Sequence, residues 1–443
     1  MLTWFLFFIF FLAAAALGWF YFLGQEKFSP ALLLASLWSA ALAVSQLRLS
    51  PLERPLSWRL WLILGLFFPP FIITYYLVKR LTAKKLAVTE KRPKINNRLM
   101  AILIGLMALA SIAANLYIFS RFGTLPILSS IPDKMRFIIN KEIFGIFEWL
   151  SLLPRLFIPL AFLELVLDKQ NLTRAKKFFY WLVIVIGFII LSLYASRLII
   201  VITVLLCYFG YLIINSQTIK LKRLIVSTLL ALTAILSVSI AIPAFRQFIT
   251  YRDYNYQGEY NPFSYLTTIS QVNLPPYLQF LTPIYLIPAF NLQALDRGVE
   301  LHTEQHYLGQ AELAVFNSAL KIFHLPQFHA PVDWSAIFLP WWITATFLFV
   351  YFLDFGWWGI ALAGIGWGAL LGTIYAFAQR RPNPLTSMLF AYFSFVCIMS
   401  IYTNYFQREE LFMDLIALLC IYLITKKRRK LTKINTETII AKN

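Results

Sequence analysis

Apolar residues run through this chain in long blocks, and the polar positions between them are short and clustered. Runs of roughly 17–25 residues are long enough to cross a hydrocarbon core of about 30 Å as helices. They lie at 2–23, 29–46, 60–78, 99–119, 144–167, 178–194, 197–214, 224–243, 355–378, 385–402 and 411–425. Lipid offers no partner to an unpaired backbone N–H or C=O, so each run is predicted to be helical. The short alternating segments of a transmembrane β-barrel do not occur. The expectation is an all-α polytopic membrane helix bundle of about eleven or twelve spans, in a single membrane domain over 1–443. Two further apolar stretches, 275–294 and 336–352, fall inside the longest connection, 244–354. Pro283 and Pro288 interrupt the first, so both are predicted as interfacial or re-entrant helices covering a cavity.

Composition agrees with that class: 60% of residues are hydrophobic and 13% charged, against about 45–50% and about 25% in soluble domains. The first run lacks a basic leader, the first cation being Lys27, and exceeds a typical signal-peptide core, so it is expected to be retained. Cys207, Cys397 and Cys420 all lie in predicted spans and imply neither a disulfide framework nor a metal cluster.

The net charge of +19 could suggest nucleic acid, but the cations sit between spans, which argues against it. Lysine-rich clusters at 79–98, 174–177 (RAKK), 220–223 (KLKR) and 426–430 (KKRRK) are cytoplasmic by the positive-inside rule, as is the basic tail 426–443. The connections 120–143, 194–197, 244–354 and 403–410 then lie outside. Arg48, Arg54 and Arg59 would also be outside, against the rule, and Pro69-Pro70 is a candidate break in the third span.

The outer face is predicted to carry mostly arginine: Arg121, Arg136, Arg197, Arg246, Arg252, Arg297 and Arg408, with Lys134, Lys141 and Lys321 as exceptions. A guanidinium grips phosphate with a bidentate fork and stays charged at low dielectric, which suits an anionic ligand. Arginines snorkelling at helix ends give the same pattern. Arg197 is the sharpest candidate, confined to the four-residue turn Tyr194-Ala195-Ser196-Arg197 between two apolar runs. Arg246 and Arg252 stand in FRQFITYRDYNYQG, where tyrosines alternate with charges as in sugar stacking or an interfacial aromatic belt. Within the run 144–167, Glu148 and Arg155 are seven apart and share a helix face, so they are expected to pair, with Glu164 beyond them.

All four histidines fall in 244–354. His302-Thr303-Glu304-Gln305-His306 is not the zinc-protease H-E-x-x-H, because the acid is displaced by one position. His302 and His306 are candidate general bases, with support from Glu304, and no metal or cofactor is expected. His324 and His329, beside Pro326 and Pro331, look less organised.

Three short elements resemble those of the bacterial oligosaccharide repeat-unit polymerases, the O-antigen polymerase family. They are Phe122-Gly123-Thr124-Leu125-Pro126-Ile127-Leu128 with Asp133 and Arg136, the Ser196-Arg197 turn, and Thr344-Ala345-Thr346 leading into Tyr351-Phe352-Leu353-Asp354-Phe355-Gly356-Trp357-Trp358-Gly359. In that family the last element joins the outer loop to a late span. The resemblance covers about 100–380 and departs at Trp341-Trp342-Ile343, where a more polar approach would be expected. It implies a metal-independent glycosyltransferase with a GT-C-like helical fold, working at the outer face of the bacterial plasma membrane. Such an enzyme joins undecaprenyl-diphosphate-linked oligosaccharides into O-antigen or exopolysaccharide, among membrane lipids and with a polysaccharide chain-length regulator as a possible partner. The diphosphate leaving group would fall to Arg197, supported by Arg246, Arg252 and Arg136, and the acceptor's proton to Asp253, Glu304, His302 or His306. Asp354 is expected to cap the helix it precedes. An O-antigen ligase, a lipid-linked oligosaccharide flippase and a non-catalytic scaffold are the competing classes; the flippase should show an internal repeat, and none is evident.

Overall fold

The computed structural model describes residues 2–88, 95–123, 146–168, 172–194, 197–254, 267–302, 306–317, 320, 325–328, 332, 337–342 and 344–426. These residues form helices and connections, with no named strand among them, only isolated bridges at Ile95–Lys426 and Leu339–Trp342. The principal helices are α1 (Leu2–Leu23), α2 (Pro30–Gln46), α3 (Trp58–Val88), α4 (Asn97–Phe122), α5 (Ile146–Ser151), α6 (Pro154–Leu167) and α7 (Arg174–Leu193). They continue with α8 (Arg197–Ile214), α9 (Leu221–Tyr254), α10 (Thr282–Leu301), α11 (Leu348–Arg380), α12 (Pro384–Met399) and α13 (Glu409–Thr425). Among the described residues, seven helices are long and apolar enough to cross a membrane, and Pro30–Gln46, Leu198–Ile214 and Pro384–Met399 are shorter apolar helices. The chain is a helical bundle of the polytopic membrane type.

The tightest seam joins α3 to α11. Gly364, Gly368 and Gly372 recur every fourth residue, so they fall on one face of α11. A Cβ placed on them would come within 2.5, 2.5 and 2.6 Å of the carbonyl oxygens of Phe67, Phe71 and Tyr75. Small residues at this spacing let two membrane helices approach backbone to backbone. The close packing also accounts for Pro69-Pro70, which the sequence marks as a break: α3 runs unbroken through both prolines. A neighbouring helix can stabilise a proline-containing membrane helix whose own ladder is weakened.

Charge divides the bundle into two ends. At one, Lys79 pairs with Glu26, the Asn97 amide donates to Asp168 at 3.1 Å, and the Asn96 N–H donates to the Thr425 carbonyl at 2.9 Å. This end gathers the lysine-rich segments. At the other, the segment 47–57 lies against the longest connection: Asn273 N–H donates to the Leu49 carbonyl at 2.8 Å and Ser50 Oγ to the Ser270 carbonyl at 2.6 Å. Arg48, Arg54 and Arg59 therefore do share an end with 267–301, as the alternation of spans requires.

Three local expectations are corrected. The stretch 336–352 does not form one helix: the described part of 337–347 is irregular and α11 begins at Leu348. Part of its apolar surface packs inside protein: Ile337 and Phe338 are buried, and Phe338 and Trp342 meet Phe290 at 5.0 and 5.3 Å. Asn291 Oδ1 accepts from Trp342 Nε1 at 3.1 Å and Thr344 Oγ1 at 2.8 Å, and backbone partners come without a helix from Trp342 N–H to the Leu339 carbonyl and Phe347 N–H to the Ser400 carbonyl, both at 2.9 Å. The other apolar stretch of the connection is helical, as a 3₁₀ turn over Pro276–Leu281 followed by α10. At its other end the connection begins later than 244, because α9 continues to Tyr254.

Arg155 pairs with Asp414 of α13 rather than with Glu148. The guanidinium donates through Nε at 2.7 Å and Nη2 at 3.1 Å, and the same carboxylate accepts from Tyr392 Oη at 2.6 Å and Trp149 Nε1 at 3.1 Å. Four donors on a buried acid explain the choice: Glu148 sits across the break between α5 and α6 and offers no comparable network.

Candidate functional site at the arginine-rich end

The loop entering α3 and the last turns of α10 build the first wall. Ser57 N–H donates to Asp296 at 2.9 Å and its hydroxyl bonds the other carboxylate oxygen, which fixes where α3 begins. That anchoring sets Arg54 and Arg59 beside Glu300: Arg54 forms a close ion pair with it, and Arg59 lies at 3.7 Å. The Arg54 contact holds the Glu300 carboxyl below the usual carboxylate range. Arg297, one turn back on α10, donates to the Leu52 carbonyl at 3.1 Å and lies over the Phe338 ring at 4.7 Å. Burial and the neighbouring Arg54 both work against its charge. The Nε atoms of Arg54 and Arg297 are buried without a partner. Glu53, bonded to Tyr285 and the Ser50 N–H, and Arg48 beside it belong to the same wall, so four arginines stand against three carboxylates and leave one net positive charge.

A ladder of rings forms the second wall. Arg59 lies 5.3 Å from the centroid of Trp58, Trp58 stacks on Trp357 at 6.5 Å and 19°, and Trp357 meets Phe352 edge-on at 5.1 Å. Phe352 meets His306 at 6.0 Å, and His302 stacks on Phe349 one turn away at 6.1 Å and 20°. Trp58 is 64% exposed and Trp357 half-buried, so the ladder opens outward at its Trp58 end.

His302 and His306 converge, though not as neighbours on one helix. His302 is the C-cap of α10, and His306 lies past the helix end against the kink of α11. The His302 Nε2 atom is buried without a hydrogen-bond partner, and burial followed by the nearby His306 holds its pKa below the ordinary histidine value. Burial thus favours its neutral, proton-accepting form.

The kink that receives His306 is Gly356, at φ 59° and ψ −142°, a conformation open in practice only to glycine. A Cβ there would come within 2.6 Å of His306 Nε2. Two residues earlier, buried Asp354 does not cap α11, as its position suggested. Its carboxylate accepts from Ala311 N–H at 2.9 Å and Glu312 N–H at 2.8 Å, capping the 3₁₀ turn Glu312–Phe316 of the outer connection. Tyr307 and Leu308 donate to the Leu353 and Asp354 carbonyls at 2.9 and 3.0 Å. The segment carrying His306 is thereby fastened to α11. Glu312 also accepts from Asn404 at 2.6 Å and bonds Tyr351; burial, then the charge of Asp354, push its carboxyl up to about 7.

Of the other predicted residues, Arg136 and Glu304 lie outside the described residues, as do His324 and His329. Arg197 opens α8, and Arg246, Arg252 and Asp253 lie in the last turns of α9; for these four only the backbone is described. α8 and α9 form an antiparallel hairpin, so Arg197 and the end of α9 share the arginine-rich end. Helical rise places Arg246 about 12 Å further along that axis than Arg197. The ring ladder was not singled out from sequence; Arg297 was read as an outer arginine, and Arg54 and Arg59 only as outside against the positive-inside rule. No group of three His, Cys, Asp or Glu side chains among the described residues is placed to hold a metal. A scan against protein-family models finds no match, and neither curated proteins nor solved structures yield one.

Proposed function

We propose that this chain is a membrane glycosyltransferase that polymerises undecaprenyl-diphosphate-linked oligosaccharide repeat units into O-antigen or exopolysaccharide. The lysine-rich end faces the cytoplasm and the arginine-rich end faces outward, in a bundle of about eleven spans resembling the GT-C class. The observation that carries the reading is the union, at one end of a membrane bundle, of excess arginine, a ring ladder open at Trp58 and the paired histidines His302 and His306. Anionic lipid carrier, sugar and acceptor hydroxyl each find suitable chemistry there.

In this reading the acceptor is the terminal sugar of a fresh repeat unit, and the donor is the growing chain on its diphosphate lipid. The acceptor oxygen bonds to the donor's anomeric carbon as the bond from that carbon to the phosphate oxygen breaks. His302 takes the acceptor proton, with His306 beside it, and the lipid diphosphate departs carrying the released electron pair. Arginine offsets that accumulating charge without a metal. Arg197, with Arg246, Arg252 and Arg136, remains assigned to the diphosphate, and Arg54, Arg59 and Arg297 join them on the strength of their net positive wall. Exposed tryptophans stack on sugar faces.

The test is reconstitution of the purified protein in vesicles with lipid-linked repeat units, reading product lengths on a gel. A ladder is expected from the wild type and single units only from Arg197→Ala. A wild type that extends nothing contradicts the reading, and an unchanged ladder from Arg197→Ala removes that residue from the diphosphate role.

A further inference from the structure

At the opposite, lysine-rich end, three turns meet around a pocket of about 480 Å³, within the roughly 300–1,000 Å³ typical of small-ligand sites. The α1–α2 turn supplies Gln25 and Lys27, the α8–α9 turn Ser216 and Gln217, and the last turn of α11 Gln379 and Arg380. The lining therefore offers two cations, three amides and a hydroxyl, and no carboxylate. Glu26, the acid of the first turn, pairs through Oε1 with Lys79 and does not line the pocket. Among the described residues no ion pair engages Lys27 or Arg380. The wall is also braced: Gln379 Nε2 donates to Tyr375 Oη at 2.6 Å, and that hydroxyl donates to the Lys27 carbonyl at 2.8 Å.

We propose that this pocket binds a phosphate group, carried by an anionic phospholipid of the adjacent leaflet or by a free phosphate compound. The helix ends oppose such a ligand, because α1, α8 and α11 all finish here and each C-terminus carries about half a negative charge. Their sum of about 1.5 is exceeded by the two full side-chain charges, and helix-end charge fades within a turn. Neutral amides and a serine then provide the hydrogen bonds that a phosphate's oxygens accept, which a bare topology signal of lysines would not require. Basic pockets between membrane helices on the cytoplasmic side hold phospholipid headgroups by this combination. The site is separate from the arginine-rich end, and its assignment does not depend on the proposed reaction.

The experiment is native mass spectrometry of the full chain in detergent, titrated with short-chain phosphatidylglycerol and, separately, phosphatidylcholine, with and without inorganic phosphate. The wild type should bind phosphatidylglycerol selectively, and Lys27→Gln/Arg380→Gln should weaken this by about 30-fold, each cation contributing about fivefold. Lys222→Gln/Arg223→Gln, which removes two cations at the same end but outside the pocket, should bind as the wild type. Competition by inorganic phosphate supports a free phosphate compound as the source, and its absence supports a lipid headgroup. Equal loss in both double variants, or no loss in the pocket variant, overturns the proposal.

Discussion

Replacing Asp414 by Asn should destabilise this protein more than almost any other single change of similar size. The Arg155 and Asp414 side chains are 7% and 2% exposed, and the carboxylate accepts four hydrogen bonds of 2.6–3.1 Å. Asparagine keeps the shape but offers one oxygen instead of two and no charge. The guanidinium is left buried without a counter-charge, its acceptors reduced to the amide oxygen and the Glu410 carbonyl at 3.1 Å. Breaking one side of a buried pair costs about 3–5 kcal/mol, whereas replacing both sides is far cheaper. Arg155→Met alone should therefore cost a similar amount, while Arg155→Met/Asp414→Asn should fall short of the sum by at least about 2 kcal/mol. Equilibrium unfolding in mixed micelles, followed by helical circular dichroism, closes this double-mutant cycle. Additive single costs, or an Asp414→Asn cost below about 1 kcal/mol, would refute a coupled buried pair and return Arg155 to a solvated role.

Gly356→Ala should cost about 1–3 kcal/mol from backbone strain and displace His306, lowering polymer yield more than it lowers expression; a normal ladder from this variant would separate the kink from activity. Gly368→Leu should force α3 and α11 apart and reduce stability by about 3 kcal/mol or more, read as loss of monodisperse protein in detergent. Glu312 titrates near 7 when folded against about 4.3 unfolded, so its neutral form favours the folded state. That contribution is complete below about pH 4.3 and is lost as pH rises through 7, because the folded chain binds the extra proton in that window. Hydrogen exchange over 306–317 should accordingly quicken from pH 5 to 7.5 beyond its intrinsic rise, and Glu312→Gln should remove the excess.

Much of the fold was legible because lipid leaves a chain few choices. The run 197–214 coincides with α8, and 2–23 with α1, since an apolar stretch of that length must close its own hydrogen bonds. The rule fails at 337–347, where protein surrounds much of the stretch and the Leu339 and Ser400 carbonyls accept backbone N–H groups without a helix. The partner of Arg155 was illegible for another reason: 259 residues separate it from Asp414, while Glu148 offered a tempting local pattern. Asp354 likewise caps a helix, but one 43 residues away. The Gly364-Gly368-Gly372 spacing was readable and names the α3–α11 seam only once α3 is known to carry the opposing backbone. At the candidate site, sequence drew attention to His302 and His306 through their near-match to a metal motif and as candidate general bases. Their convergence instead depends on the end of α10 and the kink at Gly356, neither of which local periodicity reveals.

The central claim, that this chain extends lipid-linked repeat units, is tested most directly by analysing lipid-linked oligosaccharides in a strain lacking the gene. The account predicts single repeat units accumulating on the carrier at the outer leaflet, with polymer restored by the wild-type chain. Full-length polymer retained on the lipid carrier, or single units trapped on the inner leaflet, would contradict it and assign the chain to ligation or to flipping instead.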